Sequence, residues 1–198
     1  LVNSVKTDRQ AIQNVISEML VSNGFSEIMT NSLTSSSFVK NESAVKILNP
    51  LSSELDILRD TLMIGGVQAI THNINRKNDD LKFFEFGKSY QKSGSTYIEK
   101  EYLSLWMTGN YKSESWDIKS EEVNYFHLKS LVESILARCT NNNYNLTTIE
   151  HAHFDYALGF EMNKKNIVKI AQISSAVLKQ MECEQKVFYA EIDWDGLI

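Results

Sequence analysis

The chain has 198 residues, among them 16 lysines, four arginines and 25 acids, for a net charge of −5; hydrophobic residues make up 42% and charged residues 23%. That balance suits a folded domain and excludes compositional disorder. It also argues against extensive direct contact with a nucleic-acid backbone, where affinity comes from phosphates neutralised by a basic surface. Cys139 and Cys183 lie far apart without CxxC spacing, which speaks against a zinc ribbon or a disulfide framework and fits a reducing cytoplasm. No run approaches the roughly 18 apolar residues of a membrane span. The chain begins at Leu1 with no initiator methionine and no signal-peptide pattern, so it is expected to be a piece of a longer polypeptide. A chain of this length can bury roughly 70% of its unfolded surface, enough for a single domain over residues 1–198.

In chain order, residues 8–23 place Ala11, Ile12, Val15, Ile16, Met19 and Leu20 on one side, the spacing of an amphipathic helix. Thr7 and Gln10 suit a capping box at its start and Gly24 suits its end. FSEIMTNSL reads as a strand, and the serine-rich LTSSSFVKNESAV as a loop or short helical turn. Pro50 ends the VKIL strand by biasing Asn49 toward extended backbone, and Ser-Ser-Glu turns the chain into LDIL. A second helix spans about Thr61 to Asn75, with Asp60 as N-cap and Met63, Val67, Ile70 and Ile74 on one stripe. Gly65 and Gly66 weaken it by on the order of 1 kcal/mol each, which implies close packing against its backbone.

LKFFEFGKSY is apolar on both alternating faces, with Leu81 and Phe83 on one and Phe84, Phe86 and Tyr90 on the other, so it reads as a central strand. The turn KSGST sends it back as YIEKEYLSLWMTG, a β-hairpin. A third helix near Tyr125 to Arg138 buries Leu128, Leu131, Val132, Ile135 and Leu136, with Asn124 as cap and Val123 stapling against Leu128. The remainder is mainly strand: YNLTTIEH, FDYALGFEMN, IVKIAQIS after an NKKN turn, and KVFYAEIDW. The short helix SSAVLKQM separates the last two. Helices and strands are segregated, so the expected fold class is α+β, a mainly antiparallel sheet flanked by helices.

Three features bear on chemistry. In HAHFD, a strand would set His151, His153 and Asp155 on one face as a metal site; the plainer reading is two partly exposed histidines at a strand start. Glu85 lies in an aromatic strand, as a base with a raised pKa or as a tie to an arginine, a tyrosine or backbone. Arg59, just ahead of the second helix, is a phosphate ligand or a tie to Glu85 or a neighbouring carbonyl. Asp193 and Asp195 read as polar positions of a strand leading into a linker. No phosphate-binding glycine loop or nucleophile elbow is present.

The pieces NPLSSELDILRDTL, NINRKNDDLKFFEFGKSY, YFHLKSLVESIL and VFYAEIDWDGLI, in this order, resemble the catalytic-core-like module of the bacterial phenylalanyl-tRNA synthetase β subunit, over nearly the whole chain. The resemblance implies a class II aminoacyl-tRNA synthetase-like core without a working active site. Adenylation needs cationic groups on the triphosphate. Working class II enzymes carry an arginine on the second-motif strand and another in a glycine-rich final motif, whereas LKFFEFGKSY has none and no glycine-rich strand here ends in arginine. The resemblance further implies no catalytic, cofactor or metal residue in this domain. For the whole enzyme it implies ATP and magnesium, tRNA(Phe), a cytoplasmic location and an (αβ)₂ heterotetramer with a catalytic α subunit. Helix 8–23 and the Gly65-Gly66 helix are the candidate surfaces toward α. Where the family often has HPGR, this chain has His153, Phe154, Asp155 and Tyr156. The alternative is an independent small metal- or carboxylate-dependent enzyme using His151/His153/Asp155 or Glu85.

Overall fold

A computed structural model describes residues 8–39, 43–112, 114–117, 119–141 and 143–198. Helix α1 (Arg9–Ser22) leads to the short strands β1 (Ser26–Glu27) and β2 (Leu33–Thr34), and β3 (Ile57–Leu58) precedes α2 (Met63–Ile74). The hairpin β4 (Leu81–Ser93) and β5 (Thr96–Thr108) is followed by a ribbon of β6 (Asn110–Lys112) and β7 (Glu121–Glu122), then by α3 (Tyr125–Cys139). The rest comprises β8 (Asn145–Thr148), β9 (Phe154–Met162), β10 (Lys165–Ile173), α4 (Ser175–Gln180), β11 (Val187–Asp193) and α5 (Trp194–Leu197).

The main sheet has seven strands in the order β1-β4-β5-β11-β10-β9-β8. β1 runs parallel to β4, and the remaining pairings are antiparallel. The architecture is therefore α+β, with a mainly antiparallel sheet flanked by helices. Register assigns the faces, because successive side chains point to opposite sides. Phe84 pairs with Leu105, Leu105 with Ala190, and Ala190 with Ile170, so this row shares one side. It packs against Ile16 and Leu20 of α1, Leu128, Val132 and Ile135 of α3, and Trp194. The adjacent row of Phe83, Trp106 and Tyr189 faces the opposite way, onto Met63, Val67 and Ile70 of α2 and Leu178 of α4. Both sides are covered, which is why LKFFEFGKSY is apolar on both alternating sets.

The helix ends depart from expectation in instructive ways. Asp8 caps α1 by accepting from the Ala11 N–H at 3.1 Å, while Thr7 and the capping box expected there lie outside the described residues. Gly24 follows the helix at φ +81°, the left-handed conformation that glycine adopts without strain. α2 begins at Met63, not Thr61, and Asp60 is not its cap: the N-cap is Leu62, with no side-chain cap bond, and the Thr61 hydroxyl accepts from the Met63 N–H at 3.2 Å. Asn124 caps α3 as expected, and Val123 is buried in the same core as Leu128.

The paired glycines of α2 turn inward. A Cβ on Gly66 would lie 2.0 Å from Cε2 of Trp106, and one on Gly65 would lie 2.6 Å from the Thr30 hydroxyl. The close packing is with the chain's own sheet and loop, so this part of α2 does not serve as an outward surface. FSEIMTNSL forms only β1 and β2, because after Ile28, whose N–H donates to Phe84 O at 2.8 Å, the chain leaves the sheet to bring Thr30 beside Glu85. VKIL contributes a single bridge, Lys46 to Ile57, instead of a strand. Asp193 ends β11 as a cap: its carboxylate accepts from the Gly196 N–H at 2.9 Å at the start of α5.

Candidate functional site on the polar face of the sheet

Polar groups gather on the α2 side of the sheet. Glu85, on β4, is held by two partners: Arg59 Nη1 donates to Oε1 at 2.9 Å and the Thr30 hydroxyl donates to Oε2 at 2.6 Å. Arg59 Nη1 also reaches Thr30 Oγ1 at 2.7 Å, and Nε donates to the Lys88 carbonyl at 2.9 Å. The side chains of Arg59 and Glu85 are only 6% and 2% exposed. A buried pair of this kind persists where extra hydrogen bonds satisfy the remaining groups. Gly87 completes the fit, since a Cβ there would sit 2.6 Å from Arg59 Nη2. Arg59 thus ties β4, the Thr30 loop and the approach to α2 together, to Glu85 and to a carbonyl as the sequence suggested.

A second network surrounds Glu191 on β11. Lys169 Nζ donates to Oε1 at 3.0 Å, while the Tyr189 hydroxyl at 2.6 Å and the Thr61 hydroxyl at 3.3 Å donate to Oε2. With its O–H directed at Glu191, Tyr189 accepts from the Ser104 hydroxyl at 3.2 Å. Burial, followed by the Glu191 charge, holds the Tyr189 phenol well above its ordinary pKa, so it remains a donor. The Thr61 bond to Glu191 also explains the late start of α2, because the hydroxyl is oriented toward the sheet and the first helical turn is reached two residues beyond it.

Beside this network lies a cavity of about 490 Å³, lined by Phe38, Tyr102, His151, Phe154, Lys169 and Glu191 among others. Burial, with the nearby Glu191 charge, pushes the Tyr102 phenol up to about 12. His151 is driven down by burial and then by His153 and Lys169, which favours its neutral form. His151 and His153 are in edge contact, ring centroids 4.7 Å apart, in a turn ahead of β9 and not on a strand. Asp155 points elsewhere: it accepts from Gln172 Nε2 at 3.2 Å and lines a separate hollow of about 670 Å³ beside α4. The three residues read as a metal triad are therefore split between two places. Among the described residues no cluster of three or more histidine, cysteine or acidic side chains is placed to hold a metal.

None of the four arginines offers a free fork to the cavity. Arg59 is enclosed, Arg9 pairs with Glu101 and Asp195 at 3.1 and 2.9 Å, Arg76 bonds the His72 carbonyl, and Arg138 lies in the groove between α1 and α3. Among the described residues that line the cavity, the lysine is Lys169, already engaged with Glu191. Charge that builds on a phosphoryl group needs cations pre-positioned around it, and this surface has turned its strongest one inward. The sequence pointed to Arg59 and Glu85; the Glu191 network escaped it, since Tyr189 and Glu191 are ordinary strand residues until β11 is placed between β5 and β10.

Residues 1–194 match the family described as phenylalanyl tRNA synthetase beta chain CLM domain. Relatives named phenylalanine–tRNA ligase beta subunit include those of Bacteroides thetaiotaomicron, 36% identical over 94% of this chain and 25% of its own length, and Porphyromonas gingivalis, 34% identical over 99% and 26%. The chain thus spans about a quarter of the length of these curated relatives. The pyrrolysyl-tRNA synthetase of Desulfitobacterium hafniense shares the fold, with a TM-score of 0.72 at 14% identity over 96% of this chain and 68% of that one. From its match over residues 1–194 and its identity to these relatives, the chain belongs to the phenylalanyl-tRNA synthetase beta chain CLM-domain family.

Proposed function

We propose that the chain is the core module of a phenylalanine–tRNA ligase β subunit and acts as a structural partner of a catalytic α subunit, without catalysing adenylation itself. The observation that carries this reading is the enclosure of Arg59: the arginine nearest the polar face is spent on Glu85, Thr30 and the Lys88 carbonyl. Family membership supports the rest. ATP and magnesium would belong to the whole enzyme, tRNA(Phe) would be engaged through that whole cytoplasmic enzyme, and the assembly would be an (αβ)₂ heterotetramer. On α1, Val15 and Val21 are 49% and 58% exposed, an apolar margin suited to packing against α.

The test is co-expression with the α subunit, followed by size-exclusion chromatography and hydrogen exchange. A stable complex with new protection on α1 is the expected result, together with no calorimetric signal for ATP on the chain alone. ATP binding by the isolated chain, or failure to assemble with α, would overturn the proposal.

A further inference from the structure

The N-terminus of α3 is closed by a reciprocal cap of unusual composition. Asn124 Oδ1 accepts from the N–H groups of Phe126 and His127 at 2.9 and 3.2 Å, and the Asn124 N–H is bonded in return by His127 Nδ1 at 3.2 Å. In such a box the residue reaching back is ordinarily glutamate or glutamine. The difference is chemical. Glutamine and glutamate keep an acceptor oxygen at any pH near neutral. Imidazole keeps its acceptor only while neutral, because the protonated ring has N–H on both nitrogens.

The geometry also fixes the tautomer. A backbone N–H can only donate, so Nδ1 is the bare nitrogen and the ring proton sits on Nε2, which donates to Glu121 Oε1 at 3.0 Å. The ring is stacked on Tyr111, centroids 3.9 Å apart and planes within 8°. Its side chain is 16% exposed.

We propose that His127 makes the start of α3 a proton-sensitive joint. Protonation places a second N–H against the Asn124 N–H and removes the return bond of the cap, while the ring keeps its bond to Glu121 and carries its new charge over the face of Tyr111. The charged groups around the ring are Glu121 of β7, Lys112 of β6, 3.9 Å from Glu121, and Lys82 of β4, 4.2 Å from the centre of the Tyr111 ring. Arg138, on α3 itself, lines the same groove, and Met19 of α1, Asn23 just after that helix and Met107 of β5, which line it too, carry no charge. Tyr111, Phe126 and His127 form one wall of that groove, about 340 Å³, between α1 and α3, so the proton puts a charge on the wall of the hollow beside α1.

The test is an NMR titration of the 198-residue chain from about pH 8 to 5, the range in which histidines change charge. As the His127 imidazole titrates, the amide protection factor of Asn124 falls about tenfold, the size of one net hydrogen bond, and the Tyr111 ring resonances move with the same midpoint. His127→Gln restores an acceptor that does not titrate, so it leaves both signals independent of pH while the helix start stays protected. A His127 that does not titrate in this range, a titration with Asn124 and Tyr111 unmoved, or an unchanged pH response in His127→Gln each overturns the proposal.

Discussion

On the α1/α3 side of the sheet, Phe84, Leu105, Ala190 and Ile170 meet helices that offer them apolar side chains. One residue along the same strands, Glu85, Ser104, Tyr189 and Glu191 share the opposite side with Arg59, Thr61 and Lys169. The first side is held by burial, which is non-directional and tolerates local repacking. The second depends on complete pairing, because a buried polar atom without a partner costs about 1–3 kcal/mol and a charge costs more. The lesson is that a sheet surface can retain its cavity and its charged residues while directing them at one another.

The largest expected effects test that contrast directly. Phe84→Ala removes a fully buried ring and is expected to lower the unfolding free energy by about 3–5 kcal/mol. Arg59→Met is expected to cost a similar 3–5 kcal/mol, since it strands the Glu85 charge in the interior. The two losses differ in whether they can be reversed. Arg59→Met combined with Glu85→Leu should recover most of its deficit, because apolar replacement of a whole buried pair is often neutral, whereas no second change of that kind repairs Phe84→Ala. Urea midpoints for the four chains decide it, and a single Arg59→Met as stable as the parent would remove the network from the account.

Gly66→Ala comes next. Its methyl would meet the Trp106 ring at 2.0 Å, so an overpacking cost of about 1–3 kcal/mol should outweigh the roughly 1 kcal/mol gained in helix propensity. A melting temperature above that of the parent would show that the ring gives way.

The smallest effect is electrostatic. The Glu101 backbone N–H and then Arg9 hold the Asp195 carboxyl below its usual range. A carboxylate depressed in the folded state stabilises the fold above its unfolded pKa, and that contribution is lost as pH falls through the folded value. Asp195→Asn should therefore lower neutral stability slightly, since surface pairs contribute little, and flatten the acid limb of the stability curve below about pH 4 by that same small amount.

Much of this was legible in the residues. The helix of residues 8–23, the β4–β5 hairpin, Asn124 as a cap and the Arg59 tie to Glu85 all rest on local pattern or on the rule that a buried acid needs a partner. The close approach at Gly65-Gly66 was legible too, but not its direction, because only the placement of Trp106 shows which surface meets the backbone. Asp60 failed as a cap since Thr61, drawn to Glu191 from across the sheet, sets the first turn. His151, His153 and Asp155 failed as a triad because alternation applies to strands, and the two histidines lie in a turn. The role of His127 was missed because the sequence signature of a capping box names glutamate or glutamine at that position.

The seat of Trp106 against Gly66 gives the molecule an optical gauge. Its indole N–H donates to the Met63 carbonyl at 3.3 Å, so the emission of that ring is coupled to the first turn of α2. Trp194 is equally buried but on the other side of the sheet, and Trp116 is 96% exposed. With Trp116 replaced by phenylalanine, the remaining fluorescence comes from two indoles separated by the sheet, and a change confined to Trp106 would register a displacement of α2 independently of α1 and α3.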